Sequence, residues 1–264
     1  DFIGFTLQYE LSFPTILNML DLAGLPVRSK DRTGLSPIVV AGGPCACNPE
    51  PIADFIDLFF LGEGEEVNME TIDLYKKAKA EGGTKLQFLE AAAQIDVSYK
   101  EDGTIAAVTP THGAPATVKK RIIKDLDKVF YPKEFVVPFI ETVHDRAMVE
   151  IFRGCIRGCR FCQAGFIYRP IREKNYGTVN GSARDLCQST GYDEISLSSL
   201  STSDYSQLEP LLEEMLPWTE KDRVGLSLPS LRIDNFSDKL LEQVAKVRKS
   251  GLTFAPEAGT QRLR

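Results

Sequence analysis

Strand-like and helix-like segments alternate in two separate runs of this 264-residue chain, and this alternation limits the fold more than any other feature. The first run ends near residue 83 and contains the predicted strands FIGFTL, PIVVAGG and DLFFLG. The second run begins at Ala147 and contains the predicted strands VEIFRGC, EISLSSLS, VGLSLPSLR and LTFAPEAG. Amphipathic helices between such strands predict parallel sheets, so we expect an α/β protein.

The composition excludes several classes of protein. A formal charge of -6, 43% hydrophobic residues and 26% charged residues are typical of a globular chain and exclude a disordered, collagen-like or coiled-coil protein. The most apolar stretch, IADFIDLFFLG, is interrupted by Asp54 and Asp57, so no segment approaches the roughly 18 apolar residues of a membrane span. We therefore expect no membrane partner. Because the chain opens on Asp1 and enters a predicted strand at once, we expect it to be a piece of a longer protein.

Three parts are predicted along the chain. Residues 1–83 form one α/β domain, and residues 147–264 form a second one. Residues 84–146 form a connector that contains a hairpin around Asp102 and Gly103. Four strand–helix units in series predict that the second domain is a parallel barrel or part of one.

The predicted strands of the second domain alternate apolar and polar residues, which is unusual for parallel strands. The apolar positions of one parity include Ile195, Leu197, Val224, Leu226 and Leu228. The polar positions of the other parity include Ser196, Ser198 and Ser227. If the apolar set faces the helices, the interior is small and polar, and we expect a wet or ligand-filled cavity there. The alternative is that these serines simply bond to water or to each other.

Three of the six cysteines lie within eight residues, in RGCIRGCRFCQAG (153–165), directly after the first strand of the second domain. The spacing C-x3-C-x2-C allows each of these thiolates to bind one iron of an iron–sulfur cluster, whereas a cluster that only carries electrons ordinarily has four cysteines. One iron is then left open, as a catalytic metal requires. Gly154 and Gly158 let the loop fold closely around such a cluster.

Two other kinds of site compete with this interpretation: a zinc site, and an electron-transfer cluster completed by a distant cysteine. Neither His112 nor His144 has a ligand's spacing to the loop. Cys187 is the candidate fourth thiolate, but it follows Val179 and Ala183 at helical spacing, which predicts a buried core thiol. Six cysteines are too sparse for a disulfide scaffold, so we expect cofactor binding in a reducing, cytoplasmic location.

The cysteine motif, with Phe161 before its last cysteine, resembles that of the radical S-adenosylmethionine (SAM) superfamily. The resemblance implies a 4Fe–4S cluster on Cys155, Cys159 and Cys162, whose remaining iron binds the amino and carboxylate groups of SAM. It also implies a flavodoxin- or ferredoxin-like one-electron reductant, cleavage of SAM to methionine and a 5'-deoxyadenosyl radical, and an unidentified substrate that loses hydrogen to this radical. The hard chemistry then belongs to the cofactor.

The same resemblance implies SAM-binding or substrate-binding residues after the later strands. Ser198, Ser199 and Asp204 lie in SLSSLSTSD, where members of the superfamily often bind the amino group of SAM. Arg232 follows the third strand, and its planar guanidinium suits the SAM carboxylate. Glu257 follows the fourth strand, where it is a candidate for holding the ribose or a substrate. An ordinary salt bridge to a nearby arginine is the alternative for Glu257.

Residues 153–174 carry five arginines and one lysine against one glutamate, although the whole chain is acidic. This local charge either stabilises an anionic cluster and a carboxylate, or guides an anionic substrate such as RNA. Two other functions stay open. One is an RNA-modifying enzyme of the methylthiotransferase kind, which PEAGTQRLR resembles but which needs a second cluster. The other is a non-catalytic iron–sulfur or nucleic-acid-binding module.

The run IVVAGGP followed by NPEPIADFIDLFFLGEGEE resembles the Rossmann-like, cobalamin-binding-type domain that precedes the radical barrel in many members of the superfamily. Gly42 and Gly43 match the glycines that let the backbone approach the corrin. Asn48 as a helix cap and Pro49 in the first turn predict that the chain passes from strand to helix directly after these two glycines. The usual cobalt-ligating histidine motif lies in a first loop that this chain lacks, so cobalamin binding stays open.

Almost the whole chain resembles an uncharacterised group of fused proteins, through runs such as HDRAMVEIFRGC and ISLSSLSTSDYS. The resemblance implies a cobalamin-binding-type domain truncated at its start. It further implies the first four strands of a partial (β/α) barrel truncated at its end. The resemblance implies no particular substrate.

Overall fold

The structure is a computed structural model that describes residues 2–95, 97–98, 118–140, 142–232, 254–256 and 258–263. It divides the chain into two compact units, residues 1–123 and 124–264. The division falls inside the segment predicted as a connector, and the predicted domain boundaries stay a prediction. The predicted hairpin turn at Asp102 and Gly103 lies outside the described residues.

The first unit is built on a four-stranded sheet with the strand order β1-β2-β3-β4. Its strands and helices are β1 (Phe2–Thr6), α1 (Phe13–Leu22), β2 (Ile38–Gly42), β3 (Leu58–Phe60), α2 (Gly64–Ala80), α3 (Lys85–Ala92) and β4 (Val97–Ser98). The first three strands are parallel and β4 pairs antiparallel with β3. The predicted parallel sheet is therefore confirmed, with one antiparallel strand added.

Both faces of this sheet are covered. Because successive side chains of a strand point to opposite faces, β2 contributes to two apolar cores. Val39 and Ala41 pack in the core that contains residues of α1. Ile38 and Val40 pack in the core that contains residues of α2 and α3. A strand buried on both faces has a continuously apolar sequence, as β2 has in PIVVAGG.

The chain turns sharply after β2. Gly43 has a φ of +99°, and a short 3₁₀ helix, Pro44–Cys47, follows at once. Asn48 ends this helix, and a second 3₁₀ helix begins at Glu50. The prediction that Asn48 caps a helix is therefore wrong, because the chain closes back on the segment after β1 before it reaches Asn48, through a 3.1 Å bond from Cys45 N to Leu7 O.

A buried carboxylate ties the outer segments of the first unit to its sheet. Asp57, directly before β3, accepts hydrogen bonds from Val39 N at 2.7 Å and from Lys85 Nζ at 2.6 Å. Arg32 Nη2 donates to the same carboxylate at 3.1 Å, and Ser29 Oγ also donates to it. A charge removed from water is tolerated only when it is paired and hydrogen-bonded in this way.

The second unit contains a three-stranded parallel sheet with the order β5-β8-β9 and two smaller strand pairs. Its elements are β5 (Ala147–Glu150), β6 (Phe152–Arg153), α4 (Ala164–Ile167), β7 (Arg172–Glu173), α5 (Tyr176–Thr190), β8 (Glu194–Ser198), α6 (Leu208–Asp222), β9 (Gly225–Ser227), β10 (Leu231–Arg232) and β11 (Phe254–Ala255). The strands β10 and β11 pair in parallel, whereas β6 and β7 form an antiparallel pair.

Two predicted strands are each divided in the structure. VEIFRGC is split at Ile151, because β5 pairs with the parallel sheet while β6 turns away to pair with β7. VGLSLPSLR is split after Ser227, where Pro229 lacks a backbone donor and Ser230 has a φ of +57°.

The core of the second unit follows the predicted helical stripe. The buried residues of α6 include the predicted Leu208, Leu211, Leu212, Met215 and Leu216. The strand residues Ile195 and Leu197 are fully buried in the same core. In β8 the apolar parity therefore packs with the helices, which is the condition under which a polar interior was expected. Among the described residues, no helix combines the length and the apolar character that crossing a membrane requires.

Candidate functional site

A small hairpin carries the three clustered cysteines. Its stem is the antiparallel pair β6 and β7, in which Phe152 faces Glu173. The loop leaves the stem at Gly154, whose φ is +97°. A Cβ at this position would lie 2.9 Å from Tyr168 O and 3.0 Å from Pro170 O, so the two sides of the hairpin touch here. The close approach of the hairpin itself thus requires glycine at position 154, whereas a Cβ at Gly158 would meet no atom within 4 Å. The predicted role of both glycines in folding the loop around a cluster stays a prediction.

The three thiols are free and partly exposed on this loop. Cys162 N donates to Cys159 O at 3.1 Å, which forms a tight turn between the last two cysteines. Among the residues that the structure describes, no three cysteine, histidine, aspartate or glutamate side chains are grouped as ligands of a single metal ion would be. A cuboidal cluster binds each thiolate to a different iron, so its three sulfurs do not converge on one point. Three thiols spaced C-x3-C-x2-C on one loop are a donor set that such a cluster can take.

The middle of the cysteine loop is held by an ion pair. Arg157, between the first two cysteines, donates from Nε to Asp204 Oδ2 at 2.8 Å and from Nη2 to Asp204 Oδ1. Ser201 Oγ donates to the same carboxylate at 2.7 Å. The Asp204 side chain is only 3% exposed, and that of Arg157 is 31% exposed. A bidentate fork of this kind fixes geometry as well as charge.

A second ion pair holds the stem of the hairpin. Glu150, the last residue of β5, accepts hydrogen bonds from Arg153 Nε at 2.8 Å and Nη2 at 3.0 Å. Lys174 Nζ lies 3.6 Å from the same carboxylate and 4.3 Å from the centre of the Tyr131 ring. Burial lowers the pKa of Lys174, and the nearby Glu150 opposes this shift. Sequence reasoning did not single out Glu150, although a charged residue at the end of an apolar strand was a visible signal.

The segment after β8 also binds the hairpin. Tyr205 Oη donates to Lys174 O at 2.7 Å, and burial raises the pKa of this phenol, so it stays a neutral donor. Ser206 N donates to Glu173 Oε1 at 3.1 Å. Residues 204–206, at and just after the end of the run predicted to bind SAM, therefore contact both the loop and the stem of the cysteine hairpin.

The structure brings several predicted site residues into one region, at the carboxyl ends of the parallel strands. Ser198 is the last residue of β8, beside Glu150 of β5. Ser199 Oγ lies 2.9 Å from Thr202 Oγ1. Arg232 N donates to Ser203 Oγ at 3.3 Å, which places β10 next to the same turn.

The predicted roles of Phe161 and Glu257 are not tested by the structure. Phe161 lies on the cysteine loop with 74% of its surface exposed. Glu257 lies outside the described residues. Their roles in binding SAM or a substrate therefore stay predictions.

Cys187 lies away from the cysteine loop. It lines a cavity with Asp193 and Val224, which precede β8 and β9, whereas the loop follows the opposite, carboxyl ends of the strands. Cys187 packs against the core, and burial raises its pKa to about 11. Cys187 is therefore a half-buried thiol at the edge of the core, and the prediction of a fully buried thiol is only partly met.

The first unit has a cavity of about 450 Å³ at the carboxyl edge of its sheet. Its walls include Gly42 and Gly43 after β2, Phe60 of β3, and Gly64 at the start of α2. A Cβ at Gly42 would lie 3.7 Å from Phe60, and a Cβ at Gly43 would lie 2.9 Å from Leu7 O. Gly43 thus allows the close approach of the Leu7 backbone, and Gly42 presents no side chain to the cavity, which lies at the edge where ligands bind open α/β sheets.

Comparison with known proteins gives three kinds of match: a family model, a relative and solved structures. A family model described as radical SAM proteins, N-terminal, matches residues 1–100. An uncharacterized protein of Methanocaldococcus jannaschii is 27% identical over 276 residues, which cover 100% of this chain and 51% of the relative. The chain thus spans about half the length of this curated relative.

Two solved structures of TsrM, a radical SAM methyltransferase from Kitasatospora setae, share the fold. The first contains cobalamin and a 4Fe–4S cluster, and it matches with a TM-score of 0.60 at 13% identity. The second contains tryptophan and a SAM analogue, and it matches with a TM-score of 0.58 at 14% identity. Each match covers 93% of this chain and 46% of the TsrM chain.

Proposed function

We propose that this chain, whose residues 1–100 match a family model described as radical SAM proteins, N-terminal, forms the cluster-binding part of an enzyme that cleaves SAM. One observation carries the proposal: three free, partly exposed thiols lie on one hairpin loop at the carboxyl ends of parallel strands. Cys155, Cys159 and Cys162 are the proposed ligands of three irons of a 4Fe–4S cluster. When bound and reduced, this cluster supplies the electron that splits the sulfonium of SAM into methionine and a 5'-deoxyadenosyl radical.

The surrounding residues suit this role by their charge and position. Arg153 and Arg157 lie next to the cysteines, and each is paired with a carboxylate, so in this proposal they order the loop that receives the cluster. We assign the SAM amino group to Ser198 and Ser199 and its carboxylate to Arg232, since these residues lie around one turn. Arg232 has the planar fork that a carboxylate prefers.

The remaining predicted roles belong to the same proposal. Phe161, exposed on the loop, contacts bound SAM, and Glu257 holds its ribose or the substrate. A flavodoxin- or ferredoxin-like protein delivers the electron in the cytoplasm, where cysteines stay reduced. The substrate stays unidentified, and RNA is one class to test. In this proposal the second unit is part of a (β/α) barrel and the first is a Rossmann-like domain.

The cavity of the first unit is the proposed place for part of a cobalamin. Gly42 and Gly43 both line this cavity, and neither places a side chain in it. The TsrM structure that shares the fold contains cobalamin, which supports this role. Binding is tested by the visible absorption spectrum of protein equilibrated with hydroxocobalamin and freed of excess ligand. A Gly42→Phe variant, which fills the cavity, should lose the bound chromophore.

The proposed cluster is tested by anaerobic reconstitution of the full-length protein with iron and sulfide. We expect about four irons and four sulfides per chain, and an EPR signal of the reduced cluster that changes when SAM is added. Cys159→Ala should abolish the cluster. Cys187→Ala is the matched control, because that thiol lies in the core at the other edge of the sheet, and it should keep the full iron content. Equal loss of iron in both variants would contradict the three-ligand assignment.

A further inference from the structure

We propose that Asp204 is a positioning residue, which holds the cysteine loop through Arg157 in the arrangement that receives the cluster. The inference rests on the proposed function and deepens it. It assigns to Asp204 a role other than direct contact with the SAM amino group, and it makes Arg157 part of the cluster-binding machinery.

Both oxygens of the Asp204 carboxylate accept hydrogen bonds from other side chains of the protein. Its two oxygens accept from Nε and Nη2 of Arg157, and one of them also accepts from Ser201 Oγ. With 3% of the side chain exposed, little of this carboxylate is left to face a ligand. Breaking the bonds to Arg157 would leave the buried charge of Asp204 unpaired, which costs free energy and so favours the intact ion pair.

Asp204 stands on a rigid support. It ends the 3₁₀ helix Thr202–Asp204, in which Asp204 N donates to Ser201 O at 2.9 Å. Thr202 is fully buried, and Ser203 Oγ accepts from the backbone of β10. The acceptor therefore belongs to the packed body of the second unit, whereas its donor Arg157 belongs to the loop.

Because Arg157 lies between Cys155 and Cys159, its ion pair with Asp204 acts on the loop that carries the cysteines. The contacts of Glu173 with Ser206 and of Lys174 with Tyr205 hold the stem, outside the cysteine span. The Arg157 fork, in contrast, joins the body of the unit to the segment between two cysteines. Fixing Arg157 restricts the backbone on both sides of it, and so restricts Cys155 and Cys159. A loop ordered before the cluster arrives loses less conformational entropy on binding it.

The test compares Asp204→Asn, Arg157→Gln and the double variant in full-length protein. After reconstitution, a chelator removes iron while the loss of cluster absorbance is followed. Each single variant should lose its cluster about tenfold faster than the wild type, since a charge-assisted fork is replaced by a weaker contact. The double variant should be no faster than the singles, because both changes break the same link. Ser206→Ala is the control, because it removes only the hydrogen bond that Ser206 Oγ donates to Glu173 in the stem, and it should lose iron at the wild-type rate.

Two further readouts separate positioning from fold stability and from SAM binding. The double variant leaves no unpaired charge, so its thermal midpoint should return toward the wild type while its cluster loss stays fast. The dissociation constant for SAM, measured on the cluster-loaded fraction, should change less than about twofold in Asp204→Asn, whereas loss of a direct charge-assisted contact would weaken binding tenfold or more. The EPR spectrum of the reduced cluster should broaden in the variants.

The outcomes are distinct. Normal cluster retention with weakened SAM affinity in Asp204→Asn would overturn the inference and assign Asp204 to SAM directly. Additive acceleration in the double variant would also overturn it, because the two residues would then act separately. Failure of the wild type to assemble any cluster would overturn the proposed function itself, and with it this inference.

Discussion

The close approach of the two sides of the cysteine hairpin makes Gly154→Ala an informative change. At a φ of +97° an alanine is strained by about 1–2 kcal/mol, because its Cβ crowds the backbone. The new Cβ would also lie 2.9 Å from Tyr168 O and 3.0 Å from Ile171 Cα, which are backbone atoms that cannot rotate away. Overpacking of this kind adds about 1–3 kcal/mol. We therefore expect a loss of about 2–5 kcal/mol in the free energy of unfolding of the second unit.

Urea unfolding measures this loss. Trp218 is the single tryptophan of the chain, and it packs against the core of the second unit, so its fluorescence reports on that unit. A loss of this size should lower the urea midpoint by about 1–2 M. Gly158→Ala is the matched control in the same loop, because a Cβ there meets no atom within 4 Å, and its midpoint should not change. Equal midpoints for Gly154→Ala and the wild type would refute the described hairpin packing.

Two further predictions concern buried ionisable groups. Asp57→Ala should reduce the free energy of unfolding of the first unit by about 3–5 kcal/mol, because the charges of Arg32 and Lys85 would stay buried without their carboxylate. Chemical unfolding monitored by circular dichroism measures the change. A loss of less than about 1 kcal/mol would contradict the ion-pair network around Asp57. The Cys187 pKa is raised from 9.0 to about 11, so folding disfavours its thiolate, and the stability that this thiol contributes should be lost as the pH rises from about 9 through 11. Cys187→Ala should flatten that pH dependence in cluster-free protein, and an unchanged slope would contradict burial of the thiol.

The elements best predicted from sequence are those whose pattern is local. The stripe of α6 repeats at helical spacing, and each of its predicted apolar residues is buried. The parallel sheet of the first unit was likewise visible, because PIVVAGG and DLFFLG are continuously apolar and stand between helix signals.

The elements that were missed depend on partners distant in sequence. The division of VEIFRGC at Ile151 follows from the pairing of β6 with β7, and no local signal marks it. The Asn48 cap failed because a contact with Leu7 turned the chain earlier. The cysteine motif itself was evident, but the partner of Arg157 is 47 residues away, and only the folded chain brings Asp204 to it.

The most direct test of the central claim is the fate of SAM itself. Full-length protein, reconstituted without oxygen and reduced with dithionite, is incubated with SAM, and 5'-deoxyadenosine and methionine are quantified by chromatography. The account predicts that both products form in equal amounts, and that Cys159→Ala forms neither while Cys187→Ala forms both. An intact, reducible cluster that binds SAM but yields no 5'-deoxyadenosine, with every substrate class tested including RNA, would contradict the claim and favour an electron-transfer or structural role.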